Sequence, residues 1–321
     1  MEIFPARGET TIESISCEGS PRASALWSPA IFSLADEECW RRWRQVKLRS
    51  NEAARGFAPI LIDDPCQLSD AERRAVRTQV EAVNFALYQW RTEAPDADVL
   101  DERLLAFTQN FGLRAREDHR SANNNGVVRI EVAREGGRAG YIPYTDRPIA
   151  WHTDGYYNYH GPANCVRGMI LHCAAAAPEG GENRLLDHEL AYLRLRDADP
   201  DALRLLMRPD AMSIPEATDD SGRFRATNVG PVFFLDDSGA LEMRYTARKK
   251  YVDWRDAETR AAAEKLLALI EAEPLARHVR LAPGQGLLCN NVLHDRAGFR
   301  DGDDSRRLLC RIRFNNRIQT S

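Results

Sequence analysis

Ile149-Ala150-Trp151-His152-Thr153-Asp154 is the stretch whose reading decides the fold. It reads as a strand, and alternate residues of a strand point to one face. His152 and Asp154 therefore present an imidazole and a carboxylate to the same side. A second imidazole, His294, follows 140 residues after Asp154. Two histidines and one acid form a face with open coordination positions, which suits Fe(II) oxygen chemistry better than a closed structural site. A three-residue motif also arises by chance, so its surroundings must carry the argument.

The last strand-like segment, Arg306 to Phe314, supplies the second signal. Arg307, Leu309, Arg311 and Arg313 fall on one face, and Leu308, Cys310, Ile312 and Phe314 on the other. The apolar set must meet a packed layer. If the strand lines a barrel, some guanidinium groups point inside, where each needs an anion. A guanidinium fork matches a carboxylate. The alternative is a solvated outer face paired with Asp301, Asp303 and Asp304. The position of the arginines, just after His294, favours an anion clamp beside a metal.

Taken together, His152-Thr153-Asp154, His294 and Arg307-Leu308-Leu309-Cys310-Arg311 resemble the taurine dioxygenase (TauD/TfdA) family of Fe(II)/2-oxoglutarate-dependent oxygenases. The resemblance covers about residues 140–315. It implies a double-stranded β-helix (jelly-roll) fold, with iron held by His152, Asp154 and His294. Arg307, thirteen residues after His294, would take the far carboxylate of 2-oxoglutarate, and Arg311 would touch substrate or cosubstrate. Asn183, after Gly180-Gly181-Glu182, stands where the family has a threonine that helps hold 2-oxoglutarate; its amide can still hydrogen-bond a carboxylate. The implied reaction consumes 2-oxoglutarate and O2, releases succinate and CO2, and hydroxylates an unactivated C–H. Desaturation, cyclisation and loss of a hydroxylated fragment stay open as variants. Halogenation is disfavoured, because Asp154 fills the position where halogenases leave room for chloride.

Bulk properties agree with a soluble enzyme. The chain has 321 residues, 43% hydrophobic and 29% charged, with net charge −4 from 44 basic and 48 acidic residues. That balance argues against a nucleic-acid-coating surface. Seven widely spaced cysteines without a CxxC argue against a disulfide framework or a thiolate zinc site. The first seventeen residues lack a secretory signal pattern, and no apolar run is long enough for a membrane span. A reducing cytoplasm is the expected compartment, and a homo-oligomer is left open.

Along the chain, helices are expected from Ser33 to Lys47, with Ser33 as N-cap and Trp40 and Trp43 on one face, and from the capping-box pair Ser69 and Glu72 to about Trp90. Further helices are expected over Asp101–Phe111, in pieces within Leu185–Leu206 broken at Asp199-Pro200, and over Ala257–Glu273 behind Asp256. Strands are expected over Gly126–Val132, Val166–Cys173, Leu287–His294 and the final segment. This pattern gives a mainly β fold with α additions, a sandwich or barrel, which the family resemblance implies to be a jelly-roll core flanked by helices. The expected organisation is one domain, with residues 1–120 a helix-rich elaboration and 121–321 the oxygenase core.

For the remaining histidines, His172 is expected as a hydrogen-bonded core residue, His188 as structural, and His119 and His278 at the surface. Tyr141, Tyr144, Tyr156 and Tyr157 are candidate walls of a substrate pocket, with ordinary sheet packing the alternative. Arg244 and Arg248 would suit a carboxylate, sulfonate or phosphate, and Lys249 and Lys250 read as a solvated loop. The partner would be a small polar, anionic molecule. Two competing classes remain: a non-redox Zn(II) or Mn(II) enzyme on the same barrel, which leaves Arg307 without a purpose, and a non-catalytic binding protein. A cysteine hydrolase is disfavoured because no cysteine has a base partner.

Overall fold

The computed structural model describes residues 34, 37–92, 94, 96–118, 121–136, 138–218, 224–303 and 305–320. Ser33, His119 and Asp304, all named above, lie outside these residues, as does Cys17. The core is a double-stranded β-helix of two facing sheets. The major sheet has six strands in the order Ile60–Ile62, Phe85–Trp90, Gln285–Cys289, Gly168–Ala175, Leu308–Phe314 and Val128–Ile130. Its first pair is parallel and the rest are antiparallel. The minor sheet runs Arg277–Val279, Asn183–Leu186, Leu293–Arg296 and Ile149–His152, all antiparallel. Neither sheet closes on itself.

The alternation of the last strand decides its two environments. Cys310, Ile312 and Phe314 pack with Val76, Val80, Leu104 and Phe107 from the helices covering the major sheet. Leu309 joins the opposite layer, between the two sheets, and Arg307, Arg311 and Arg313 share that interior side. Each fully buried apolar side chain there contributes about 1.5–3 kcal/mol. Two φ-positive glycines, Gly180 and Gly181, turn the chain between the halves. A Cβ on Gly181 would stand 3.2 Å from Arg307 Nε, so the turn is small where the arginine passes.

Several boundaries differ from the sequence expectation. The capping box of Ser69 and Glu72 opens Asp70–Val83 as expected, but that helix stops at Asn84, which adopts the left-handed conformation. Phe85–Trp90 is then a strand at the heart of the major sheet. Its aromatic residues fit a pleated, buried surface better than a helix. The N-terminal third therefore builds part of the core as well as flanking it. The stretch expected as one strand from Leu287 to His294 is two, Gln285–Cys289 and Leu293–Arg296, in different sheets. Asn291, with φ of 44°, makes the corner. Leu185 and Leu186 belong to a strand rather than a helix, and the helices His188–Ala198 and Pro200–Leu206 meet at Asp199-Pro200.

A buried ionic cluster docks the helix Glu37–Ala54 on the core. Lys47 Nζ pairs with Asp187 and Glu189, each at 2.6 Å. Asn51 and Asn84 bond the Asp187 carboxylate from either side. Trp40 and Trp43 on the same helix are buried, as expected. No helix of the described residues is long and apolar enough to cross a membrane.

Candidate active site

His152 and His294 are register partners on adjacent strands of the minor sheet, with ring centroids 4.2 Å apart. With Asp154, two residues beyond His152, they offer three ligand atoms within 4.8 Å of one another. The hydrogen bonds fix both rings in one tautomer. His152 Nδ1 lies 3.0 Å from the carbonyl of Ala150, and His294 Nδ1 lies 3.0 Å from that of Val292. A carbonyl only accepts, so each Nδ1 carries the proton and each Nε2 keeps a free lone pair. His152 is held neutral: burial, reinforced by His294, pushes its pKa down to about 3.

Asp154 is ionised. Burial alone would raise its pKa, but the Arg311 and Arg313 guanidinium groups hold it well below the usual carboxylate range. Arg311 donates to Asp154 Oδ1 at 2.9 Å. Asp154 Oδ2 is buried with no partner. An unpaired buried carboxylate oxygen is costly. Beside two free imidazole lone pairs it is satisfied by a cation, so the donor set fits a divalent iron with open positions.

These residues sit in a cavity of about 740 Å³ between the sheets. Among the described residues six arginines line it, Arg225, Arg248, Arg296, Arg307, Arg311 and Arg313, against three carboxylates, Glu117, Asp118 and Asp154. Arg313 pairs with Glu117 and donates to Tyr157 Oη at 3.2 Å. Asn158 in turn donates to Glu117 at 2.9 Å. Arg296 spends its terminal nitrogens on the carbonyls of Pro143, Thr145 and Arg147, tying the Tyr141–Tyr144 wall to the strand of His294. Arg307 is buried, with its guanidinium 4.9 Å from the Phe299 ring. Its backbone N–H donates to Asp301, and no described carboxylate pairs with its guanidinium.

Of the sequence candidates, His152, Asp154, His294, Asn183, Arg307, Arg311, Tyr141, Tyr144, Tyr156 and Arg248 all line this cavity. Arg244 does not. It is 3% exposed and its guanidinium is spent on the carbonyls of Tyr156, Met212, Gly230 and Asn228 and on the Asn228 side chain. Its place is structural, and a substrate role for it is withdrawn. Asn183 lines the cavity. Its Nδ2 donates to the Asp295 carbonyl at 2.6 Å, and its buried Oδ1 has no partner. Turning the amide over would set two acceptors together, so Nδ2 keeps one N–H on Asp295 while its second N–H is left to donate and Oδ1 to accept.

Sequence reading missed Arg225, Arg296, Glu117 and Asn291. Arg296 was legible as the residue two after His294 on the same strand face. The others come from segments with no distinctive pattern. His172 is a core residue, as expected: it bonds Tyr88 Oη at 3.1 Å, and burial lowers its pKa to about 4. His188 is buried, bonding the Leu241 carbonyl, and His278 is exposed.

Comparison with known proteins agrees with this geometry. The profile of the taurine catabolism dioxygenase TauD, TfdA family matches residues 56–313. A uridine-5'-phosphate dioxygenase of an Amycolatopsis species is 34% identical over 170 residues, 51% of this chain and 60% of the relative, so the match spans under two thirds of that protein. A uridine-5'-phosphate dioxygenase of a Streptomyces species is 27% identical over 252 residues, 74% of this chain and 87% of the relative. Among solved structures, the non-heme iron oxygenase OrfP in complex with Fe, succinate and (3S)-hydroxy-L-Arg has a TM-score of 0.58 at 14% identity, covering 87% of this chain and 92% of that one. Asparagine oxygenase in complex with Fe(II), 2S,3S-3-hydroxyasparagine and succinate has a TM-score of 0.55 at 16% identity, covering 84% and 90%. With a family match over most of its length, the chain belongs to the TauD/TfdA family of Fe(II)/2-oxoglutarate-dependent dioxygenases.

Proposed function

We propose that this dioxygenase hydroxylates an unactivated C–H of a small anionic substrate, with a phosphorylated nucleoside of the uridine-5'-phosphate type as the leading candidate. The observation that carries the reading is the excess of arginine over carboxylate among the described residues of the cavity wall. Two curated relatives are named for uridine-5'-phosphate, and the cavity volume suits a ligand of nucleotide size.

His152, Asp154 and His294 would hold the iron, which with 2-oxoglutarate and O2 supplies the oxidising power for C–H hydroxylation and yields succinate and CO2. The protein's own groups prepare the site. The two Nδ1–H···O=C bonds hold both imidazoles in the ligating tautomer. Arg311 occupies one oxygen of Asp154 and leaves the other to bind. Arg307 offers an unpaired guanidinium for the far carboxylate of the cosubstrate. Tyr141, Tyr144 and Tyr156 wall the space in which substrate lies, as does Arg248 at its edge. The free thiols of the described residues fit a reducing, cytoplasmic setting.

The test is succinate formation by the purified protein with Fe(II), ascorbate and 2-oxoglutarate. Slow uncoupled turnover is expected, accelerated by uridine-5'-phosphate. No succinate from iron-loaded protein that binds 2-oxoglutarate would overturn the proposed turnover. Turnover indifferent to every phosphorylated nucleoside would overturn the substrate class alone.

A further inference from the structure

We propose that Arg225 and Arg248 form a second anion site in the cavity, separate from the cosubstrate position at Arg307, and that it takes the phosphate group of a nucleoside monophosphate. The inference rests on the substrate class above and adds the residues that select it.

Most of the cavity arginines already hold a partner. Arg311 is committed to Asp154, Arg313 to Glu117, Tyr157 and Asp154, and Arg296 to three carbonyls. Arg307 is left for the cosubstrate. Arg225 and Arg248 remain, and no described carboxylate pairs with either. Arg225 spends part of its fork on carbonyls, Pro215 at 2.7 Å and Ala226 at 3.4 Å, which aims the side chain without neutralising it. Burial lowers its pKa, offset only in part by Tyr156 and Tyr157. Arg248 lies over the Tyr251 ring at 4.3 Å, which restricts it in the same way.

Their placement comes from two different segments. Arg225 ends the short antiparallel pairing of Ala217–Thr218 with Phe224–Arg225. Arg248 precedes the turn Lys249–Tyr251. Both line the cavity, together with Thr218, Phe224 and Tyr251. Phe224 is 59% exposed and Tyr251 48%, so these residues form its outer rim.

The chemistry favours phosphate over a carboxylate. One guanidinium fork satisfies the two oxygens of a carboxylate, whereas a phosphate monoester has three terminal oxygens for two forks. It also carries about −1.5 to −2 charge at neutral pH, against a single negative charge on a carboxylate. Two cations from separate segments match the larger charge. Arginine binds phosphate with directed paired donors, so lysine is an imperfect replacement.

The experiment measures binding of uridine-5'-phosphate, uridine and 2-oxoglutarate to the anaerobic Fe(II) protein by calorimetry, with inorganic phosphate as competitor. Wild type should bind uridine-5'-phosphate at least about tenfold more tightly than uridine, and inorganic phosphate should compete. Arg225→Gln and Arg248→Gln should each weaken uridine-5'-phosphate about tenfold or more, leave 2-oxoglutarate binding unchanged, and level the difference between nucleotide and nucleoside. Arg→Lys at each position should recover part of the loss. Full nucleotide affinity in both Gln variants would overturn the site while leaving the substrate class intact. Loss of 2-oxoglutarate binding in a folded variant would show that the two anion positions are not separate. Wild type that binds 2-oxoglutarate but not uridine-5'-phosphate would instead overturn the substrate class, and this site with it.

Discussion

The side chain of Asn291 brackets the backbone of Asp154: its Oδ1 accepts from Asp154 N–H at 2.8 Å and its Nδ2 donates to Asp154 C=O at 3.0 Å. Nδ2 also donates to the Val166 carbonyl at 2.8 Å. Asn291 is the left-handed corner three residues before His294. One amide thus sets the register between the two chain segments that carry Asp154 and His294, and the metal face depends on it.

Replacing Asn291 with Ala should loosen that face. It strips partners from one buried N–H and two carbonyls, a loss of about 1–3 kcal/mol in stability. Metal affinity should fall by about tenfold or more, as for other groups that orient ligands. Co(II) titration followed by its visible spectrum measures this. Unchanged affinity in a folded variant would show that the bracket does not position Asp154.

Arg307→Ala should separate cosubstrate from metal. Loss of the unpaired guanidinium should weaken 2-oxoglutarate by about a hundredfold, in line with about 3 kcal/mol for truncating one partner of a buried charge pair. Metal affinity should change little, since Arg307 makes no ion pair with Asp154. Calorimetry of both ligands tests it, and equal losses would contradict the assignment.

Arg244→Ala should act on stability instead. The change leaves the acceptors of Tyr156, Met212, Gly230 and Asn228 without their donor, at about 3 kcal/mol or more. Denaturant unfolding should show the loss, with 2-oxoglutarate affinity retained in the folded fraction. A stable variant that selectively lost substrate binding would return Arg244 to the site.

His172 should make the fold acid-sensitive. Burial depresses its folded pKa to about 4 from an ordinary 6.5, so the unfolded chain takes up a proton first as pH falls. Its contribution is full above about pH 6.5 and is lost progressively towards pH 4, about 3 kcal/mol in all. His172→Gln should flatten the stability profile over that window. An equally steep profile in the variant would assign the acid sensitivity elsewhere.

Local pattern was enough for the parts whose partners are near in sequence or set by alternation. The spacing of His152 and Asp154 places both on one side of a strand, and the alternation of Arg307, Arg311 and Arg313 with Cys310, Ile312 and Phe314 sorts the final strand into cavity and core. The Ser69 and Glu72 pair opens its helix by hydrogen bonds only three residues apart. The same local reading ran the helix through Phe85–Trp90, because nothing nearby reveals that Gln285–Cys289 lies alongside to complete a sheet.

What each polar atom is left to do was decided only by the tertiary structure. Arg244 and Arg248 look alike in sequence, yet carbonyls from three distant segments consume the first, and among the described residues none binds the guanidinium of the second. Asn183 carries two N–H donors and an acceptor, and the Asp295 carbonyl, 112 residues away, takes one of the donors. Residue type and periodicity set which side a group takes. Its free valence depends on the donors and acceptors that folding brings against it, and those are scattered along the chain.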